Sequence, residues 1–525
     1  MDPGNIYQEI ISYIFSTPSE TIDIQKIKID FCRKYGIISI PKNSQLLAVA
    51  PDEYREKLRK ILLLKPTRTL SGVAPIAVMT SPYPCPHGKC LPCPGGPKHP
   101  FKSPQSYTGE EPAALRGKEH NFNPYQQVYA RLDQLRSLGH HIDKVELIVM
   151  GGTMTARPYD YQEWFVKRSI QSMNEYYQPK YITTLKSWDD VAEENEYARI
   201  RCVAITFETR PDWCKREHID SMLSLGVTKV ELGVQHIDDK ILSINNRGCY
   251  VCDTINANKL LRDAGLKVGF HIMPNLPGST IEKDKEMFRK LFEDSQFKPD
   301  FLKIYPTLVT PQSEIERLWN NGDYRPYTEE ELVDLIAYAK SLIPEYVRLQ
   351  RVQRDIPAKL IVAGSKHSNF RQIAKKRLEE WGKQCRCIRC REVGRVQSTS
   401  QPQLQDMSYD CCGGKEHFIS EVAGDALIGF ARVRFPRKAY SPCLQDAALL
   451  RELHIYGEIV PIGKAPTNYA WQHKRHGEEL LQYAEMCAES YGYSLMAVMS
   501  GIGVRSYYRR HGYSSNGPYM VKRLS

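Results

Sequence analysis

The sequence predicts an α/β protein: a parallel, partial (β/α) barrel followed by a second α/β unit, with a small helical domain ahead of the barrel and a cysteine-rich linker between the two units. Three observations carry that expectation. Between Gly72 and about residue 310, short apolar runs alternate with amphipathic segments of helical period. The first two runs lead straight into a cysteine loop and into Gly151-Gly152-Thr153, so reactive groups stand at strand carboxyl ends, where such barrels carry them. Strand and helix patterns resume after about Glu416, behind a basic, cysteine-rich stretch.

Taken in order, residues 1–70 read as a helical domain, because Ile6, Ile10 and Ile14, and later Tyr54, Leu58, Ile61 and Leu62, recur at helical spacing among charges. The barrel is assigned to 71–365. Its strands are expected within 72–79, 144–152, 202–209, 227–235, 267–273 and 301–309, with helices near 124–138, 160–176, 215–225, 253–264 and 281–293. More helices follow, and an apolar stretch ending at Gly364. Residues 366–415 form the linker. Residues 416–525 form the second unit, with strands near 426–435, 451–462 and 494–499 and helices near 473–490 and 503–510.

Composition narrows the function class. With 42% hydrophobic and 25% charged residues in 525, the chain is neither disordered nor fibrous. Lys and Arg total 72 against 61 Asp and Glu, a net +11 that favours a polyanionic partner. Between Arg371 and Arg395 nine basic residues face three acidic ones, so +6 of the excess falls in one segment. Neither a membrane-length apolar run nor a secretory signal is present, and a cytoplasmic location without membrane association is expected. Fifteen cysteines then argue for metal ligation and buried thiols rather than disulfides.

Cys85, Cys90 and Cys93 form C-x4-C-x2-C, followed by Pro-Gly-Gly-Pro. Three thiolates on so short a loop can hold three irons of a cubane cluster and leave the fourth open to a small molecule. A zinc knuckle is the structural alternative, with only His87 or His99 near enough to complete it.

This spacing after a first barrel strand resembles the radical S-adenosylmethionine superfamily. The segments KPTRTLSGVAPIAVM, QSYTGEEPAALR, LGHHIDKVELIVMGGT, ETRPD, HIMPNLPG, RVQRDIPAKLIVAG, RELHIYG and SGIGVRSYYRRHGY together resemble the family of Elongator catalytic subunits of archaea and eukaryotes, from about residue 30 to the carboxyl terminus. The resemblance implies a 4Fe–4S cluster on Cys85, Cys90 and Cys93, and S-adenosylmethionine near Gly151, Gly152 and Thr153. Glu208, Arg210, Gln235, His271 and Asn275 end later strands and are candidate cofactor or substrate contacts. The implied reaction appends a carboxymethyl group, drawn from acetyl-CoA, to carbon 5 of the wobble uridine of tRNA.

The last unit resembles the GNAT acetyltransferase fold. Its phosphate-binding pattern is matched at Gln472 and Gly477, but Arg475 stands at the first glycine position, followed by His476. The resemblance places Glu452, Leu453, His454 and Ile455 along the pantetheine arm, brings Lys144 to the cofactor from the barrel, and makes Tyr508, or its neighbour Tyr507, the proton donor to the leaving thiolate.

Cys385, Cys387 and Cys390 form a second thiolate cluster suited to zinc, with Cys411, Cys412, His417 or water as fourth ligand. Expected phosphate contacts for the tRNA anticodon stem-loop are Lys65, Arg68, Arg348, Arg351, Arg354, Arg386, Arg389 and Arg391. Other Elongator-like subunits are potential partners. Two other readings stay open: a GNAT lysine acetyltransferase with the barrel as scaffold, and a non-catalytic tRNA-binding protein.

Overall fold

The computed structural model describes residues 3–524 except 17–22, 38–39, 63–68, 70, 179–185, 368, 397, 399 and 458–474. Helices Pro3–Ser16, Ile24–Tyr35, Asn43–Val49 and Asp52–Leu62 open the chain and bury Ile6, Ile10, Ile14, Leu46 and Leu58 against one another. The helical spacing of these apolar residues is the stripe that forms this core. Among the described residues no helix is long and apolar enough to cross a membrane.

Seven strands form the first sheet: β1 (Ala74–Met79), β2 (Lys144–Met150), β3 (Arg201–Thr209), β4 (Lys229–Gln235), β5 (Lys267–Ile272), β6 (Phe301–Ile304) and β7 (Arg348–Arg351). They pair in chain order and all in parallel, the product of repeated crossover connections. The first six coincide with the predicted runs. The seventh does not: the apolar stretch ending at Gly364 contributes only an isolated bridge, Val309–Ala363, while the strand is the polar Arg-Leu-Gln-Arg.

Alternation within the strands separates two environments. On β2, Val145, Leu147 and Val149 are fully buried among the outer helices, whereas Lys144, Glu146, Ile148 and Met150 are the half-buried set facing the other way.

The second sheet has the order β13-β14-β12-β11-β10-β9-β8, built from β8 (Gln403–Cys411), β9 (Gly414–Ala423), β10 (Ala426–Phe435), β11 (Ala447–Ile455), β12 (Leu495–Val498), β13 (Ser514–Asn516) and β14 (Tyr519–Arg523). Only β11 and β12 run parallel. The helix His476–Ser490 covers this sheet through Leu480, Leu481, Ala484 and Ala488. The sheet thus takes in Gln403–Cys411, which the sequence reading leaves in the linker.

The two sheets meet over a buried ionic cluster. Arg451 on β11 grips Asp300, at the foot of β6, through two contacts of 2.8 Å, and Glu416 on β9 at 2.7 Å. Arg262, from the barrel helix Val251–Asp263, reaches Glu416 at 3.2 Å and Asp300 at 3.4 Å. Arg434 on β10 bonds Asp263 at 2.6 Å and Glu416 at 3.0 Å, and Arg432 bonds Glu452 at 2.8 Å. Four guanidinium groups thus balance four carboxylates. Burial opposes the charge on Asp300 and Glu416, but the surrounding arginines, Arg451 and Arg262 above all, hold both below the ordinary carboxylate range.

Replacing one member leaves its partners charged and sealed from water. Asp300→Asn is expected to lower unfolding free energy by about 3–5 kcal/mol in equilibrium denaturation. Because the folded state holds these carboxylates depressed, the unfolded chain binds protons more readily. Their contribution is therefore complete at neutral pH and falls away as pH drops below about 4, which acid titration of the melting temperature will record.

Candidate active site

Strand β1 ends at Met79 and the chain enters the cysteine loop directly; Thr80 donates its amide to Met150 O at 2.9 Å, fixing the loop against the end of β2. Each sulfur has a polar neighbour. Cys85 Sγ lies 3.2 Å from Thr153 Oγ1, Cys90 Sγ 3.1 Å from His87 Nε2, and Cys93 Sγ accepts from Gln105 Nε2 at 3.0 Å. Arg247 adds a guanidinium 3.8 Å from Cys90. Burial raises the Cys85 thiol, and Thr153, Arg210 and Arg247 oppose that rise.

Two ligands about 2.3 Å from one zinc ion lie at most about 4.6 Å apart. Cys85, Cys90 and Cys93 are not among the groups, in the described residues, whose donor atoms all fall within 4.8 Å of one another. Of the two histidines near enough in sequence to complete a zinc knuckle, His99 is turned away, its Nε2 at 3.2 Å from Gln312 O. The spread loop fits a cluster with several metal corners better than a mononuclear ion.

Gly151 and Gly152 follow β2 with φ of +130° and +102°. A Cβ on Gly151 would run into the Thr80 hydroxyl, and one on Gly152 would sit 3.1 Å from Gln105 Cβ, so only glycine fits this turn at the cysteine rim. On β4, Gln235 also holds a left-handed backbone, at φ 71°, and its Oε1 is buried with no partner. A strained residue with an orphaned acceptor in the wall of a cavity marks a ligand site. This fits a bound cofactor offering a hydroxyl or amine.

Cys85, Cys90, Cys93, Gly152, Thr153, Glu208, Arg210, Gln235 and His271 all line one cavity of about 1230 Å³, larger than a single drug-sized ligand needs. Arg210 is largely spent on structure: it bonds Asp212 at 2.9 and 3.0 Å and the carbonyls of Arg247 and Gly248 at 2.8 and 3.1 Å, clamping the segment behind the loop. Glu208 accepts from Tyr107 at 2.8 Å. Asn275 is occupied by Tyr324 and by the amide of Tyr327 at 2.7 Å, a packing role.

Sequence reasoning missed a ladder of charges in the barrel interior. Lys229 bonds Glu146 at 2.5 Å and lies 3.5 Å from Glu231; Lys303 pairs with Glu231 and lies 3.6 Å from Glu208. Lys267, pushed down to about 8 by burial, stands in register with Lys229 on the neighbouring strand, in the field of Glu452. The signal was present as one or two charges inside otherwise apolar strands, in KVELIVM, KVELGVQ, KVGFHI and FLKI.

In the second sheet, β12 accompanies β11 only as far as Leu450–Val498, while β10 continues to Ile455. Among the described residues Glu452, Leu453 and His454 therefore have a strand neighbour on the β10 side alone, a split that can receive an extended chain. His454 is tied to Ser71 O at 2.8 Å. Arg475 precedes the helix His476–Ser490 with φ 69°, so the position where the family pattern has glycine does demand a left-handed backbone. Gln472 lies outside the described residues. His476 bonds Glu421 at 2.8 Å, and the Tyr507 hydroxyl, buried and unpartnered, stands 3.2 Å from where a Cβ on Gly477 would be. Tyr508 is 6% exposed and packs on Tyr507 and Tyr513. Burial raises both phenols, Tyr507 to about 12, so each stays a proton donor at neutral pH. Lys144 pairs in register with Arg201, whose guanidinium reaches Ser506 at 3.5 Å.

Cys385, Cys387 and Cys390 do converge within 4.8 Å, beside the buried, unpartnered Lys340 Nζ. The expected fourth ligands lie elsewhere. Cys411 and Cys412 contact Phe297 and Gln296 at the junction with the barrel, and His417 is held by Asp406 at 2.9 Å.

The arginines expected on RNA divide. Arg348 is bound inward to Glu392 at 2.7 Å and Arg391 to Glu345 at 2.8 Å. Arg389 donates to Gln350 O at 2.9 Å, and Arg386 bridges Glu345 and Asp425 at 2.6 Å each. Arg351 and Arg354 line the cavity itself. Lys65 and Arg68 lie outside the described residues.

Family models match in three segments: the ELP3 N-terminal domain at 4–70, the radical SAM superfamily at 85–291 and the radical SAM C-terminal domain at 299–380. The chain is 47% identical over 514 residues to a "tRNA uridine(34) acetyltransferase" of Methanocaldococcus jannaschii, covering 95% of this chain and 94% of the relative. It is 38% identical to human "Elongator complex protein 3", covering 99% and 96%. Among solved structures, Methanocaldococcus infernus Elp3 lacking residues 1–46 superposes with a TM-score of 0.76 at 42% identity, covering 87% of this chain and all of that one.

A left-handed backbone costs a non-glycine residue roughly 1–2 kcal/mol. Arg475→Gly is therefore expected to raise the melting temperature, as differential scanning calorimetry will record.

Proposed function

The chain belongs to the Elongator complex protein 3 (Elp3) family, and from that membership we infer that it is an enzyme that modifies the wobble uridine of transfer RNA, adding to carbon 5 a carboxymethyl group drawn from acetyl-CoA. The 4Fe–4S cluster and S-adenosylmethionine are the cofactors of its radical SAM domain; zinc on Cys385, Cys387 and Cys390 and acetyl-CoA on the second sheet are part of the same proposal. One observation carries it: the cysteine triad, the glycine turn and Gln235, whose acceptor is buried and unpartnered, line one cavity large enough for a cofactor and a nucleotide together.

When bound, the cluster and S-adenosylmethionine supply a carbon-centred radical, chemistry no side chain offers. The protein's own groups bind and orient. Cys85, Cys90 and Cys93 ligate the cluster, with Gln105 and Thr153 fixing two of the sulfurs. Gly151 and Gly152 let backbone approach the cofactor, and Gln235 accepts from it. Arg351 and Arg354 at the cavity wall suit the phosphates flanking an extruded base, since a nucleotide must leave its stack to reach a barrel interior. Glu452, Leu453, His454 and Ile455 provide a backbone edge for the pantetheine arm, and the amides at the start of the helix His476–Ser490 provide the pyrophosphate seat. Tyr507 or Tyr508 donates a proton to the departing thiolate.

Anaerobically reconstituted protein incubated with tRNA, acetyl-CoA, S-adenosylmethionine and reductant is expected to yield 5-carboxymethyluridine at position 34 in nucleoside mass spectrometry, and Cys90→Ala none. Acetylation of peptides with an unmodified anticodon would replace this reading with that of a lysine acetyltransferase. Cys387→Ser is expected to lose about one zinc per chain by elemental analysis while keeping its iron.

A further inference from the structure

We propose that His271 reads the nucleobase: its Nδ1 accepts the ring N3–H of a uracil in the barrel cavity, and Glu231 fixes the tautomer that makes it an acceptor. The inference rests on the reading of this cavity as a wobble-uridine site and adds the residue that selects the base.

Glu231 lies in the barrel interior, 1% exposed, with the ammonium of Lys303 paired to it and that of Lys229 at 3.5 Å. Burial disfavours its charge, yet the two lysines hold it well below the ordinary carboxylate range, so it is ionised and can only accept hydrogen bonds. His271 Nε2 sits 2.9 Å from its Oε2. That contact requires the proton on Nε2. Burial and the nearby Lys303 lower the imidazole's affinity for a second proton, so the ring is neutral at physiological pH. With Nε2–H committed, Nδ1 carries a lone pair.

The lone pair faces the cavity. His271 is one of its wall residues, and its Nδ1 has no protein donor among the described residues. The Nδ1 atoms of His87 and His236 are sealed and unpartnered; that of His271 is not sealed. Glu208, Glu231 and His271 also have the donor set of a metal site, but Lys303 already supplies the cation, paired with Glu231 and 3.6 Å from Glu208.

An acceptor at this place discriminates between pyrimidines. Uracil presents N3–H, a donor, between two carbonyls, whereas cytosine presents a lone pair at N3 and would meet the Nδ1 lone pair head on. A site built to hydrogen-bond one partner rejects an analogue that cannot make the bond, because its own buried group is left unpaired.

The test uses the reconstituted full-length protein and fluorescent anticodon stem-loops that differ only in base 34: uridine, cytidine or N3-methyluridine. The wild type is expected to bind the uridine loop roughly tenfold or more tightly than either of the others. His271→Phe should bring the three within about twofold of one another while keeping the cytidine-loop affinity, which reports that the variant is folded. Glu231→Gln gives a second check, since its carboxamide can donate to Nε2 and turn Nδ1 into an N–H; the preference should shrink or pass to cytidine. A His271→Phe protein that keeps the wild-type preference would overturn the assignment and leave the uridine site standing. A wild type indifferent to base 34 would overturn the uridine reading and the assignment together.

Discussion

Everything the molecule is proposed to do depends on holding two sheets in a fixed relation, and the buried cluster around Asp300 and Glu416 is the constraint that does so. Asp300, Glu416, Arg262, Arg434 and Arg451 are wholly buried, and no one of them can be left without its partners. The charge balance of four arginines against four carboxylates is met only when helix Val251–Asp263, the foot of β6 and strands β9 to β11 are all in place. Such an arrangement adds less net stability than its number of contacts suggests, because desolvation offsets much of the attraction. What it supplies is registry. Arg509 and Arg505, both paired with Glu196 of the barrel helix Trp188–Tyr197, fix the far edge of the same junction.

That registry gives the charges inside the barrel a direction. From Glu452 on the split strand of the second sheet, charged side chains succeed one another through Lys267, Lys229, Glu146, Glu231 and Lys303 to Glu208 and His271 at the cavity. A parallel barrel is usually filled with branched apolar side chains. Here its interior is polar, and nearly every member is paired, which shifts the protonation equilibria of the cavity wall from their values in water. The neutral imidazole of His271 and the ionised Glu231 are two results of that arrangement.

Much of this was legible in the residues. β1 to β6 are largely apolar runs because both faces of a parallel sheet are covered, and such runs stand out even with the interior charges among them. β7 did not, since Arg348–Arg351 has only Leu349 fully buried and turns its arginines to Glu392 and to the cavity rim. β8 is an edge strand exposed along most of its length, so neither an apolar run nor a clean alternation marks it. The cysteine triad and glycine turn could be read because their spacing is local. The roles of Gln105, Arg247 and the interior ladder could not, because they arise from residues far apart in sequence. At Arg391, inside the basic segment, the fold turns the charge inward to Glu345, and Arg348, on β7, is turned likewise to Glu392, pairings that depend on residues composition does not bring together.

The central claim is that the radical site and the split second sheet serve one reaction, with the acetyl methyl carbon as the atom that passes between them. It is tested most directly by supplying acetyl-CoA deuterated in the methyl group, with tRNA and S-adenosylmethionine, and weighing the 5′-deoxyadenosine released. The account predicts deuterium transferred into that product in step with nucleoside formation; 5′-deoxyadenosine free of deuterium alongside a modified anticodon would contradict it.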